Sequence, residues 1–269
     1  MNPRRPVAAA LGALGSSLVG GCAWQVPWPW PAPMSAPAPP PVPDLPASPL
    51  PRRSEAELAA CAARLRLAPE RPRPAHPTNY GARQRFDAWG RSLPREPRLI
   101  VLHETVISAP DTVRMFATPH PRDEDQGSYH LLIDRAGQRL RIVPDVARAY
   151  GAGMSAFGDL TLRSRPGSPG SINNVALHLS LESPADGRGD GDGHSGYSAA
   201  QYRAAAAQVL LWQGRWAIPL HRLTTHAAVD RSHSRYDPRS FRWDRFLPAW
   251  QRAARACGWS GYDTGQAGP

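Results

Sequence analysis

A proline-rich segment limits what this chain can fold into. Between Pro27 and Pro51, 12 of 25 residues are proline. Proline has no backbone N–H and fixes φ, so such a stretch forms neither a helix interior nor a central strand, and it favours extended polyproline geometry. The segment predicts a semi-rigid tether of about 3.1 Å per residue. The globular part of the 269-residue chain is therefore expected after it.

The N-terminus has the pattern of a secretory signal peptide. Arg4 and Arg5 precede an apolar, uncharged run over residues 7–19 that is too short to span a bilayer. The sequence LVGGC, which ends at Cys22, is similar to a bacterial lipobox, whose Cys becomes the lipid-modified first residue. An ordinary signal peptide with an incidental Cys is the alternative. Because Ala23 rather than Asp follows the Cys, we expect an outer-membrane lipoprotein that faces the periplasm.

The amino-acid composition indicates which classes of binding partner to expect. All 32 basic residues are Arg, and with 22 acidic residues they give a formal net charge of +10, which favours anionic partners. The arginines lack the interleaved aromatic residues of a single-strand-binding groove, so we expect no nucleic-acid partner. The sequence has no GxSxG nucleophile elbow, and a chain without Lys has no P-loop. Beyond the leader, Cys61 and Cys257 either form a disulfide in an oxidising compartment or remain two buried thiols.

The remaining sequence alternates strand and helix patterns. Short apolar runs bounded by turn residues predict strands over residues 99–104, 129–134, 140–144 and 175–181. Capping residues and apolar spacing predict helices over residues 54–67, 111–117, 199–215 and 244–256. Strands interleaved with helices indicate a three-layer α/β fold.

Three residues have the side chains of a metal site. His103 follows the apolar residues LIVL in the sequence LIVLHET, at the end of a predicted buried strand. Burial of an imidazole without a hydrogen-bond partner is energetically unfavourable, so we expect a functional site at this end of the strand. His226 and Asp237 lie together in THAAVDRSHSRYDP. Two imidazoles and one carboxylate are the three ligands that a catalytic zinc needs while its fourth position stays open for water. Spacing alone does not single out these residues among nine histidines.

The order of several motifs carries a family resemblance. VLHET, SYHLLIDRAGQRLRIVPD, AYGAGMSAF, NNVALHLSL and THAAVDRSHSRYDP follow one another from Leu99 to the region of Trp243. This set resembles the zinc-dependent N-acetylmuramoyl-L-alanine amidases of the amidase-2 type, a family that includes the peptidoglycan recognition proteins. The resemblance implies a mixed central β-sheet flanked by helices, one Zn²⁺, and hydrolysis of the amide between N-acetylmuramic acid and L-alanine. It also implies that His103, His226 and Asp237 are the zinc ligands.

The resemblance also points to catalytic residues. Tyr129 matches a tyrosine of some family branches, Arg235 stands where a lysine is usual, and His178 stands where many members have a glutamate. Gly151 replaces a histidine that is not a ligand. The general base is then His178, or Tyr129 and Arg235 stabilise the oxyanion without one. Glu182 is the third option.

Strand geometry bears on this choice. Alternation along VALHLSLE places His178, Ser180 and Glu182 on one face and the intervening leucines on a buried other face. At about 3.3 Å per residue, His178 and Glu182 lie roughly 13 Å apart, too far for both to reach one water molecule.

The expected organisation combines these features. It comprises a lipoprotein signal peptide over 1–21, a lipid-anchored Pro-rich linker over 22–53, an N-terminal helix and connector over 54–78, a single catalytic domain over 79–259 and a flexible tail over 260–269. We expect a monomer that acts on peptidoglycan or muropeptides and contacts the membrane through its anchor. A non-catalytic recognition module and a zinc peptidase that cuts the stem peptide are the alternatives.

The first prediction concerns anchoring. Because Cys22 directly follows the apolar run and Gly21, the mature protein is expected to begin at Cys22, to carry acyl chains and to fractionate with the outer membrane. Intact-mass analysis of the protein from its native host measures this. Cleavage at another position without added acyl mass would contradict it.

Overall fold

Two β-sheets organise the described part of the chain. The computed structural model describes residues 41–48, 50–158, 160–189 and 191–259. Its strands are β1 (Arg71–Pro72), β2 (Tyr80–Ala82), β3 (Leu99–Glu104), β4 (Leu131–Ile133), β5 (Arg139–Arg141), β6 (Ala147–Ala149), β7 (Ala176–Leu181) and β8 (Leu223–Thr225). Its α-helices are α1 (Glu55–Arg64), α2 (Ala109–Ala117), α3 (Ala199–Trp216), α4 (His226–Val229) and α5 (Trp243–Cys257).

The larger sheet is mixed, as expected. Its strand order is β1-β5-β4-β7-β3-β8, and β2 pairs with β6 in a separate antiparallel sheet. Strands β4, β7, β3 and β8 are mutually parallel, whereas β5 runs antiparallel to β4. The prediction of an α/β domain with a mixed central sheet flanked by helices is confirmed.

The two faces of this sheet differ in character. The face that carries Ile100, Leu102 and Leu179, here called the core face, packs with residues of α1, α3 and α5. Each fully buried leucine contributes about 1.5–3 kcal/mol by leaving water. The opposite face, here called the site face, carries His103 and His178 between apolar clusters. Helix α2 covers part of the site face, so the sheet lies between two helical layers.

Local capping accounts for the helix starts. The Ser198 hydroxyl accepts a hydrogen bond from the Gln201 backbone N–H, and the Gln201 side chain bonds back to the Ser198 N–H. Ser54 and Glu57 form the same capping box at α1. Such caps contribute about 1 kcal/mol each. Both caps coincide with starts expected from the sequence.

Several short elements were not expected. Strands β1, β2, β6 and β8 have two or three residues, and α4 has four, so they are too short to show a periodic pattern. Strands β4 and β5 are also shorter than predicted. No helix in the described ranges is both long enough and apolar enough to span a membrane.

The end of the Pro-rich segment packs on the domain. Leu45 and Leu50 are buried in the main core, and Val42 packs against it. The Pro46 carbonyl accepts a hydrogen bond of 3.1 Å from the His221 backbone N–H. These apolar side chains explain why the domain begins before residue 54. The expected leader, the tether over 22–40 with Cys22, and the tail over 260–269 lie outside the described residues.

A disulfide joins the first helix to the last. Cys61 of α1 and Cys257 of α5 are bonded across a sequence separation of 196 residues, and both are buried. Of the two alternatives that the sequence left open, the structure has the disulfide.

The second prediction concerns this disulfide. Cys257→Ser is expected to lower the free energy of unfolding by about 2–5 kcal/mol, because the bond restricts the unfolded chain over a long loop. Urea unfolding of the oxidised wild type and the variant measures the difference. Dithiothreitol should destabilise the wild type to a similar extent and leave the variant unchanged. Equal stability of oxidised and reduced wild type would contradict the prediction.

Candidate metal centre

Three side chains converge at the carboxyl end of β3. The ligand atoms of His103, His226 and Asp237 all lie within 4.8 Å of one another, and the three residues are buried. In the described ranges, no other group of three His, Cys, Asp or Glu residues has this arrangement.

Strand register brings the two histidines together. Leu102 pairs with Thr225 in the parallel β3–β8 ladder, so His103 and His226 are the next residues on adjacent segments. Their ring centroids are 4.6 Å apart. The Thr225 hydroxyl accepts from the Ala228 N–H at 3.2 Å and caps α4, which begins with His226.

Backbone contacts place the aspartate beside them. The Asp237 carbonyl accepts from the Ala227 N–H at 3.0 Å, and its Oδ2 accepts from the Glu104 N–H at 3.4 Å. The loop that carries Asp237 is thereby attached to both α4 and β3.

The donor atoms face one another. Asp237 Oδ1 lies 2.8 Å from His226 Nδ1, and Oδ2 lies 3.2 Å from His103 Nδ1. His103 Nδ1 is buried, and its contact with Asp237 Oδ2 does not have hydrogen-bond geometry, so this nitrogen makes no hydrogen bond. A buried nitrogen without a partner is unfavourable by about 1–3 kcal/mol, and it needs an explanation such as a bound ion. Two imidazole nitrogens and one carboxylate oxygen fit Zn²⁺ with an open coordination position.

Electrostatics favour the forms that bind metal. Burial, opposed by the interaction with Asp237, lowers the pKa of His103 to about 4, so its imidazole is neutral near pH 7. Burial would raise the pKa of Asp237, but the adjacent His226 and the contact with His103 outweigh it and lower that pKa far below its usual range. A neutral imidazole and an ionised carboxylate are the protonation states that ligate metals.

His178 adjoins the metal site from the next strand. Its Nδ1 lies 2.9 Å from Nε2 of His103, whereas its own Nε2 is buried without a partner. Burial, with a further contribution from His103, lowers the pKa of His178 well below its usual value. The expected alternation along β7 is present, but both faces of the strand are buried.

Tyr129 contacts His103, and the charge of Arg235 acts on both residues. The Tyr129 ring stacks on the His103 ring with centroids 4.6 Å apart. Burial and the charge of Asp237 raise the pKa of Tyr129, and the positive charge of Arg235 partly opposes this. The charge of Arg235 also lowers the pKa of His103. The structure therefore brings the predicted residues His103, His178 and Tyr129 into contact, and the charge of Arg235 acts on His103 and Tyr129.

Glu182 is engaged elsewhere. Its Oε1 accepts from the Ala109 N–H at 2.9 Å, at the start of α2, and its Oε2 accepts from the Arg135 N–H at 2.8 Å. Both oxygens thus satisfy backbone donors of two neighbouring segments. These contacts give Glu182 a structural role.

A buried ionic cluster was missed at the sequence level. Glu104 is 1% exposed and accepts from Arg239 Nε at 2.6 Å. Its other oxygen lies near His194 Nε2, at 2.9 Å, and accepts from the Tyr197 hydroxyl. The available signal was the position of Glu104 next to His103, directly after the apolar run LIVL. Because Arg239 follows Asp237 by two residues, this ion pair helps to attach the aspartate loop to β3.

Comparisons with known proteins show the family to which the sequence is similar. Residues 93–240 match Amidase_2, the N-acetylmuramoyl-L-alanine amidase family. No curated protein matches the chain. Among solved structures, the fold is similar to a crystalline selenomethionine AmpD, with 24% identity, 68% of this chain and 95% of that chain covered, and a TM-score of 0.49. AmiD from E. coli, in complex with anhydro-N-acetylmuramic acid-L-Ala-D-gamma-Glu-L-Lys, has 19% identity, coverage of 59% and 58%, and a TM-score of 0.45.

The third prediction separates Glu182 from the metal site. Glu182→Ala leaves two backbone N–H groups without their acceptors and is expected to lower the free energy of unfolding by about 1–3 kcal/mol. Zinc affinity should stay the same. Urea unfolding and a zinc titration measure the two effects, with exposed Glu124→Ala as the control for loss of a carboxylate. A fall in zinc affinity of more than about tenfold in Glu182→Ala would contradict the structural role.

Proposed function

The chain belongs to the Amidase_2 family of N-acetylmuramoyl-L-alanine amidases, and we propose that it cleaves the amide between N-acetylmuramic acid and L-alanine with the help of zinc. Family membership makes the protein a peptidoglycan amidase. The observation that supports the zinc-dependent form is the convergence of His103, His226 and Asp237 within the matched residues. Peptidoglycan or its released muropeptides are the proposed substrates.

In this proposal His103, His226 and Asp237 hold the ion. Bound zinc would supply Lewis-acid chemistry, since it polarises a substrate carbonyl and lowers the pKa of water to about 7. The raised pKa of Tyr129 keeps its phenol protonated, so its O–H is available as a hydrogen-bond donor. A protonated phenol and the Arg235 charge beside the metal ligands suit the stabilisation of an oxyanion that develops on the substrate.

The contacts of the two candidate bases favour the mechanism without a side-chain base. Glu182 accepts two backbone hydrogen bonds, His178 Nδ1 is engaged with His103, and the other nitrogen of His178, Nε2, is buried. Tyr129 and Arg235 remain as the groups placed to act on the substrate. Retention of all three metal-binding side chains favours hydrolysis over the alternative of a non-catalytic recognition module.

We also propose that the enzyme is an outer-membrane lipoprotein, acylated at Cys22 and facing the periplasm, and that it works as a monomer. The leader and the LVGGC sequence support the anchor. The Cys61–Cys257 disulfide supports an oxidising compartment.

The fourth prediction tests the bond and the metal together. Zinc-loaded protein incubated with purified muropeptides should release free stem peptide and leave the sugar intact, as measured by mass spectrometry. Removal of a residue that contacts a metal ligand, but not the metal, lowers metal affinity roughly 10- to 100-fold. His226→Ala removes a direct ligand, so its loss of zinc affinity should be larger. Its activity should be lost as well. His221→Ala, a histidine outside the site, is the matched control and should behave as the wild type.

Other outcomes identify the alternatives. Fragments cut within the stem peptide would indicate a zinc peptidase, and binding of muropeptides without any cleavage would indicate a recognition module. Full zinc occupancy in His226→Ala would contradict the ligand assignment. Zinc should also raise the thermal stability of the wild type, because a ligand that binds only the folded state stabilises it.

A further inference from the structure

His178 contacts His103 from the neighbouring strand β7. We propose that His178 is a positioning residue, which accepts a hydrogen bond from His103 Nε2 and so directs His103 Nδ1 toward the metal, and that Gly151 provides the space for its ring. This inference rests on the proposed zinc site. It gives His178 a role that does not require it to touch the substrate.

The hydrogen bond selects one tautomer of His103. His103 Nε2 and His178 Nδ1 are 2.9 Å apart, so one of these two nitrogens must carry the proton between them. His103 Nδ1, which faces Asp237, can bind a cation only through its lone pair. The proton of His103 therefore lies on Nε2, and His178 Nδ1 is the acceptor. Partners on the second nitrogen of a ligating histidine fix its ring and make it a better ligand.

The position of the His178 ring is imposed by the sheet. Its backbone N–H donates to Nδ1 of His130 at 3.0 Å, and its carbonyl accepts from the His130 N–H at 3.0 Å. The His130 ring stacks on the His178 ring at 5.7 Å with an interplanar angle of 11°. His178 is therefore held on both its backbone and its ring, beside His103.

Gly151 lies directly against this ring. A Cβ added at Gly151 would lie 2.5 Å from Cγ and Nδ1 of His178, far below the roughly 3.5–4.0 Å of a favourable carbon contact. Gly151 is not among the glycines with positive φ, so its backbone accepts other residues and the limit is space alone. A side chain at position 151 would displace the ring from His103. The two residues thus form one unit in support of the metal ligand.

The fifth prediction compares substitutions of His178 by zinc affinity. His178→Ala leaves the His103 Nε2–H buried without an acceptor, and zinc affinity should fall about 10- to 100-fold. His178→Asn places a carbonyl oxygen near the position of Nδ1 and should stay within about threefold of the wild type. His178→Gln, whose amide reaches the position of Nε2 instead, should resemble His178→Ala. Competition with a chromophoric chelator measures each dissociation constant.

Ser180→Ala is the matched control. Ser180 lies on the same strand and the same face, is fully buried, and its hydroxyl has no hydrogen-bond partner. Its removal should leave zinc affinity unchanged. Co²⁺ in place of zinc gives a second readout, since the visible absorption spectrum should change in His178→Ala and be the same in Ser180→Ala and the wild type.

Glycine substitutions test the spatial part. Gly151→Ala should lower zinc affinity about as much as His178→Ala, because it pushes the ring away. Gly153→Ala, two residues further on, has no atom within 4 Å of the added Cβ and should have no effect. In the double variant with His178→Ala, Gly151→Ala should add little, because the ring that it would strike is gone.

Each contrary result has a distinct meaning. Wild-type affinity in His178→Ala, while the wild type binds zinc, would overturn the positioning role alone. A loss of kcat of about 10²-fold in both His178→Ala and His178→Asn, with wild-type zinc affinity in both, would make His178 the general base and overturn the positioning role. Failure of the wild type to bind zinc would overturn the proposed zinc site and this inference with it.

Discussion

The parallel pairing of β3 with β7 on one side and β8 on the other is the interaction on which the site depends. In this register Leu102 lies opposite Thr225 and Val101 lies opposite His178. His103 therefore has His226 on one side, and its ring reaches His178 on the other. A slip of one residue in either ladder would turn these side chains to the opposite face of the sheet, so the apolar core on that face also protects the geometry of the site.

Both faces of the sheet are buried, so the polar and charged groups of this site lie away from water. A buried charge is tolerated when it is paired, and Glu104 with Arg239 meets that condition on the core side. Among the described strand residues of the site face, three buried side-chain atoms make no hydrogen bond: His103 Nδ1, His178 Nε2 and Ser180 Oγ. Folded proteins tolerate such atoms mainly where function requires them. Two of these atoms belong to His103, which we propose as a zinc ligand, and to His178, which we propose as its positioning residue.

Residues near the two ends of the described chain pack into the same core. Leu45 and Leu50 enter the core that also contains Trp259, and the Arg53 guanidinium lies 5.2 Å from the centroid of the Trp259 ring. The disulfide joins the first helix to the last beside this contact. The domain is therefore larger than its catalytic motifs suggest, and it includes residues that precede α1.

The sequence by itself determined the elements whose signals are local. The bounds of β3, the Ser198 cap of α3 and the α/β class follow from apolar runs and capping residues that are adjacent in the chain. The motif order likewise indicated the family and the three candidate metal ligands. Only the tertiary structure decided that Cys61 meets Cys257, that Glu182 serves backbone donors and that Gly151 makes room for His178. These outcomes depend on strand register and on side chains far apart in the chain, which no local pattern encodes.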